Sequence, residues 1–179
     1  MKIPDNNIQD YTGTNFSVYK REEGETIIKY NTSGDIIENN EMYSKVMLGK
    51  CETCNPFYKN SFEGFTYDKV LVVGLGLGLV PYELSEVNGC SKIDVLEIDQ
   101  EIIDYTILSG HLNSDINLIQ GDIYNYTTTE TYDLIIIDTI WYAHEMSNED
   151  CELLKSRLLP NINTGGALYF PIKEKFIIR

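Results

Sequence analysis

The stretch VLVVGLGLGLVPYEL, Val70 to Leu84, joins an apolar run to a helix-like run through glycines at every second position, Gly74, Gly76 and Gly78. A short continuous run of valine and leucine that ends in glycine reads as a strand buried on both faces. Pro81 suits the first turn of the helix that follows, where its missing N–H has no partner to lose. Such a strand-to-helix turn is built for a ligand, because glycine lets the backbone approach closely and the helix amides present positive dipole ends. Spacing narrows the ligand further. The dinucleotide fingerprint G-x-G-x-x-G needs its third glycine at position 79, where this chain has Leu79, so the observed G-x-G-x-G disfavours NAD.

Outward from this stretch the alternation continues. Strands are expected at Lys69 to Gly74, Lys92 to Ile98, Ile116 to Gln120, Tyr132 to Thr139 and Gly166 to Ile172. Helices are expected at Leu79 to Val87, closed by Asn88-Gly89; at Gln100 to Ser109, closed by Gly110; and at Asn148 to Leu159, stopped by Pro160. Strand and helix in regular succession predict an α/β fold with a Rossmann-like, doubly wound, mostly parallel sheet. KEKFIIR, at the end, has room for one short edge strand, and the sheet is either a minimal five-strand core or one completed by a second copy, which keeps a homo-oligomer open. The first 65 residues differ: NFSVYK and ETIIKYN alternate in the manner of hairpin strands beside turn pairs at Glu23-Gly24 and Gly34-Asp35, and EMYSKVML reads as a helix. Two regions follow, a small N-terminal β-hairpin region plus helix over 1–65 and a Rossmann-like cofactor-binding domain over 66–179.

Composition sets the boundaries. A chain of 179 residues with 42% hydrophobic content supports one full core, and no segment approaches the ~20 apolar residues that a membrane helix needs. The polar start, MKIPDNNIQD, lacks the apolar centre of a secretory signal, which points to the cytoplasm and to four reduced cysteines. A net charge of −14 argues against nucleic-acid partners, whose phosphates demand clustered Lys and Arg, and favours a small-molecule substrate that is neutral or cationic.

Ligands of an open parallel sheet lie beyond the carboxyl ends of its strands. Each strand end here delivers a suitable group. The first ends in the glycines. The second ends in VLEID, with Glu97 nineteen residues after Gly78, where a carboxylate can accept from both hydroxyls of a ribose. Asp99, next to it, reads as the cap of the following helix. The third leads to Gly121-Asp122, and Asp122 either accepts from an adenine amino group or caps a turn. The fourth ends at Asp138, which serves either as a base or as an acceptor that orders the loop.

With these residues in place, the chain resembles the spermidine synthase-like branch of the class I S-adenosylmethionine-dependent methyltransferase superfamily. The resemblance runs from about Glu25 to Ile172 through DIIENNEMYSKVML, VLVVGLGLG, VLEID, GDIYNY and YDLIIIDT, in family order. It implies a transferase binding S-adenosylmethionine, with methyl transfer to a small acceptor; polyamine aminopropyl transfer from the decarboxylated cofactor and non-catalytic binding of an adenosyl compound are the alternatives. By the same resemblance Gly74, Gly76 and Gly78 line the methionine end, Glu97 binds ribose, Ile98 packs on the adenine and Asp122, with Ile123 beside it, reads the base. Asp138 matches the aspartate that deprotonates the attacking amine. The chain departs from the pattern at Leu77 and Val72, where relatives carry an acid in or before the glycine loop, and at Trp141, where aminopropyltransferases carry a second aspartate.

Three further features carry less chemistry. Cys51 and Cys54 form CETC, but Cys90, Cys151, His111 and His144 are scattered singly, so no metal is expected. Trp141, Tyr142 and His144 follow Asp138 on a loop that either covers the cleft or packs on the surface. Tyr43 is expected in the seam between the two regions.

Overall fold

The computed structural model describes residues 10–20, 26–30, 36–39, 67–86, 90–110, 112–139, 147–170 and 175–178. The expected EMYSKVML helix with Tyr43, the CETC pair, His111 and the loop from Trp141 to His144 lie outside them.

Four strands form an antiparallel meander at the N-terminus: β1 (Tyr11–Thr12), β2 (Phe16–Lys20), β3 (Thr26–Tyr30) and β4 (Ile36–Asn39), ordered as in the chain. The alternating runs therefore pair as hairpins, with Phe16 opposite Tyr30 and Lys20 opposite Thr26. The larger sheet contains β5 (Lys69–Val73), β6 (Lys92–Glu97), β7 (Ile116–Gln120), β8 (Tyr132–Ile137), β9 (Ile162–Phe170) and β10 (Lys175–Ile178). Its order is β10-β9-β8-β5-β6-β7, and every pairing is parallel except that of β10 with β9. Among the described residues, the helices α1 (Leu79–Glu86), α2 (Gln100–Ser109) and α3 (Asn148–Leu158) accompany it.

Period-two alternation along the strands decides which face each residue serves. Val70, Val72, Ile93, Val95, Leu134 and Ile136 point to a layer with Val80 and Leu84 of α1 and Ile102, Ile103 and Tyr105 of α2. Leu71, Val73, Leu96, Ile135 and Ile137 point the other way, onto Cys151, Leu154 and Leu158 of α3. Both layers are buried, and burying each such aliphatic side chain contributes roughly 1.5–3 kcal/mol. Phe16 and Val18 of β2 are buried in the first layer with Tyr11 packed against it, so the small sheet shares the core of the large one.

The fifth large strand begins at Ile162, four residues before the expected Gly166. Ile162 pairs with Tyr132, while Ala167 pairs with Leu134, so three extra residues of β9 form a bulge. Gly165 takes a left-handed φ of 82° inside it. The glycine pair that reads as the end of a loop is thus an interruption within a strand. Ser147 and Asp150 close a reciprocal capping box at the start of α3.

Candidate functional site

The strand order reverses between β8 and β5, since the chain runs outward from β5 through β6 and β7 before returning to β8. The crevice of a doubly wound sheet opens at this switch, beyond the carboxyl ends. Hydrogen bonds lace those ends together: Gly74 N–H donates to Leu96 O at 2.8 Å and Asp138 N–H to Val73 O at 2.7 Å. Gly74 has φ 98°, and a Cβ there would lie 2.2 Å from the carbonyl oxygen of Asp138. Only glycine meets both demands. Gly76 and Gly78 also have positive φ, 51° and 76°, and Gly78 N–H closes a turn on Leu75 O at 2.7 Å before α1 begins.

Glu97 ends β6, with only 7% of its surface exposed and no ion pair among the described residues. Its Oε2 accepts from Leu75 N–H at 2.8 Å and its Oε1 from Asp99 N–H at 2.9 Å. A carboxylate has about four acceptor sites. Backbone donors on both oxygens orient the group without filling all its acceptor sites, so it can still accept from a ligand hydroxyl. Burial pushes the carboxyl up, against the N–H groups of Asp99, Leu75 and Ile98, which favour the charged form. A phosphate at this position would be repelled, so the site favours a ligand with neutral donors.

Ile98 follows, 61% exposed, an apolar side chain held out at the strand end. Asp122 lies beyond β7, and its carboxylate caps the turn after it: Oδ1 accepts from Tyr124 N–H and Oδ2 from Asn125 Nδ2, both at 2.9 Å. The turn-capping role is therefore present, and each oxygen keeps a lone pair beyond it. Ile123 is buried with Leu96 and Ile137 in the second layer. Asp99 caps α2 as expected, accepting from Glu101 N–H at 2.9 Å.

At the end of β8, Asp138 Oδ1 and the neighbouring Thr139 Oγ1 are both buried without a hydrogen-bond partner. Asp138 as a whole residue is half-buried, its Oδ1 is shielded, and burial pushes the carboxyl up to about 7. A buried polar atom left unmade costs about 1–3 kcal/mol, which a ligand that bonds to it would recover. Val72 and Leu77, which stand where the family pattern has an acid, are both buried in the apolar layer.

Three participants escape sequence reading. The Leu75 N–H that orients Glu97 belongs to a residue whose side chain announces nothing; Thr139 stands out only once its hydroxyl is found orphaned; and Glu101 looks like an ordinary helix acid. Among the described residues, no group of three or more His, Cys, Asp or Glu is placed to hold a metal, and no helix is long and apolar enough to cross a membrane.

The architecture is the class I S-adenosylmethionine-dependent methyltransferase fold. It matches the plantazolicin methyltransferase BpumL in complex with SAH, at 25% identity and TM-score 0.50 over 64% of this chain and 42% of that one. It also matches the N-methyltransferase NodS from Bradyrhizobium japonicum, at 20% identity and TM-score 0.50 over 65% and 68%. A third match is the glycopeptide N-methyltransferase MtfA complexed with S-adenosyl-L-methionine, at 15% identity and TM-score 0.53 over 64% and 52%. In sequence, putrescine N-methyltransferase 2 of Nicotiana attenuata is 31% identical along an 80-residue alignment that covers 40% of this chain and 22% of that protein. The chain thus spans less than half the length of BpumL and about a fifth of this relative. No protein-family model matches the chain.

Proposed function

We propose that this chain binds S-adenosylmethionine at the carboxyl ends of β5, β6 and β7 and supports methyl transfer to a small neutral or cationic acceptor, as a member of the spermidine synthase-like branch. The observation that carries the reading is Glu97, a buried carboxylate at the end of β6, oriented by backbone N–H groups on both oxygens and paired with no cation among the described residues. The cofactor and product named with the structural neighbours BpumL and MtfA support the ligand, and the putrescine N-methyltransferase supports the branch and an amine as acceptor.

The residues present fit such a ligand. Gly74, Gly76 and Gly78 offer bare backbone, with open space around Gly76 where a side chain would stand. Glu97 would hold the ribose and Ile98 would cover one face of the base, with Asp122 and Ile123 at its edge. When bound, the cofactor supplies an electrophilic methyl group, so the chain needs no nucleophile of its own. The chain's remaining tasks are to align the acceptor and remove its proton. Asp138 suits the second: above about pH 7 its carboxylate can accept the N–H proton that the acceptor loses on methylation, and below it the protonated group cannot. Thr139, with its hydroxyl free in the described structure, would share the acceptor's polar contacts.

Thermal shift tests the ligand, using S-adenosylmethionine, its decarboxylated form, S-adenosylhomocysteine, methylthioadenosine and NAD. A ligand at a hundred times its Kd adds about 2.7 kcal/mol of stability. The expected result is a shift with the adenosyl sulfonium and thioether and none with NAD. No shift with any adenosyl compound overturns the reading. Methyl transfer to putrescine and related amines then tests activity; aminopropyl transfer from the decarboxylated form, or binding without turnover, would replace the methyltransferase assignment.

A further inference from the structure

The turn between β1 and β2 reaches across to the start of α2. Glu101 Oε1 accepts from the Tyr11 hydroxyl at 3.0 Å and from Thr14 N–H at 2.6 Å, and Oε2 accepts from Asn15 N–H at 2.7 Å. Asn15 Nδ2 lies 3.2 and 3.1 Å from the two carboxylate oxygens of Asp99. The approach is close enough that a Cβ on Gly13 would stand 1.9 Å from Glu101 Oε1. Below these bonds the rings of Tyr11, Phe16 and Tyr105 meet with centroids 5.1 to 5.8 Å apart, which anchors the turn on α2.

The segment gripped in this way is the one that shapes Glu97. Glu97, Asp99 and Glu101 are three carboxylates at alternate positions, and no ion pair reaches any of them among the described residues. Neutral donors of the hairpin and the amino end of α2 take the place of cations. Although burial opposes it, the N–H groups of Asn15 and Thr14 and the Tyr11 hydroxyl hold Glu101 below the usual carboxylate range. Asp99, held by Asn15, is also the residue whose N–H fixes Glu97 Oε1.

We infer that the β1–β2 hairpin is a positioning element of the ribose site: through Glu101 and Asp99, Tyr11 to Asn15 fix the backbone amide that aims Glu97. This rests on the cofactor site proposed above. It makes the N-terminal sheet part of ligand binding without touching ligand, and it assigns Asn15 and Glu101 as positioning residues.

The test is calorimetric titration of the full chain with S-adenosylhomocysteine and with its 2′,3′-dideoxy analogue, on the parent, Asn15→Ala, Glu101→Ala and Glu101→Gln. Asn15→Ala and Glu101→Ala should weaken S-adenosylhomocysteine about five- to tenfold, the size expected when a hydrogen bond that orients a charged group is lost. Glu101→Gln, which keeps one acceptor oxygen, should recover part of that. The dideoxy analogue, lacking the hydroxyls that Glu97 would hold, should bind parent and variants alike. Equal weakening of both ligands, or variants that bind S-adenosylhomocysteine as the parent does, would overturn the inference while the cofactor site stands. A parent that binds neither would remove the cofactor site and the inference together.

Discussion

The two ends of the six-stranded sheet use the same residue types to opposite effect. At the amino end, Asp94 is buried yet accepts from the Tyr132 hydroxyl and Asn117 Nδ2, both at 2.9 Å, with Lys92 Nζ 3.9 Å away. Asp133 accepts from the N–H groups of Asp68 and Lys69 and from Asn163, and although burial opposes it, these donors hold it below the usual range. Glu130 pairs with Lys69 and Lys92, and the Lys69 ammonium also lies 5.2 Å from the centre of the Tyr132 ring. Each of these three carboxylates is bonded by side chains or amides that tie neighbouring strands together. At the carboxyl end, by contrast, burial drives both Glu97 and Asp138 upward, and Asp138 Oδ1 has no partner. One end spends its polar groups on holding strands in register; the other keeps bonding capacity in reserve, as a ligand site must.

Substitutions at each end should separate the two roles. Asp138→Asn should have the largest effect, removing 10²- to 10⁴-fold of turnover as loss of a general base does, while S-adenosylhomocysteine affinity stays within about twofold. Paired kcat and binding measurements check this, and parallel loss of both would return Asp138 to a structural role. The same variant sharpens the contrast through pH. A carboxyl raised in the folded state stabilises fully below its unfolded value of ~4, and that contribution is lost as pH rises toward about 7. Asp138→Asn should therefore gain on the parent in urea denaturation as pH is raised from 5 to 8, by roughly 2–3 kcal/mol. A gap that narrows with pH would contradict the buried, unpaired carboxyl.

Glu97→Ala should weaken S-adenosylhomocysteine about a hundredfold, near 3 kcal/mol, because the proposed ribose contacts and their charge would be lost together. Binding that survives it would move the ribose elsewhere. Asp94→Ala should do the reverse. It strands the Tyr132 hydroxyl and the Asn117 amide at the amino end and should cost about 2–3 kcal/mol of stability, with ligand affinity unchanged. An Asp94 variant that lost ligand affinity without losing stability would dissolve the division between the ends. Smallest of all, Lys92→Met removes a water-exposed pair with Glu130 and should leave the melting temperature unmoved at physiological salt.

Much of the fold was legible because its signals are local. Apolar runs place β5, β6, β7 and β8 within one or two residues of where they lie, and Asp99 and Gly110 mark both ends of α2. The start of β9 was not legible, since Gly165-Gly166 carries the same local signal in a bulge as in a loop, and the pairing of Ile162 with Tyr132 separates the two. At the site, Glu97 and Asp138 were legible as acids at strand ends. Their difference from Asp94 was not. All three close or interrupt an apolar run, and nothing beside them in the chain says which will meet Tyr132 and which will keep an oxygen unbonded among the described residues.

Periodicity, glycine spacing and capping residues are properties of neighbours in the chain, and from them the sequence by itself determined the alternating architecture, the switch-point crevice and the acids that line it. The state of each acid depends on residues far away along the chain: Glu97 on Leu75, Glu101 on Tyr11 and Asn15, Asp94 on Tyr132, Asp138 on the packing that leaves its Oδ1 without a donor among the described residues. Burial and hydrogen bonding across such separations are set by packing, because desolvation acts on whatever the folded chain encloses and a donor counts only within bonding distance. Only the tertiary structure decided which carboxylates hold the protein together and which remain for a ligand.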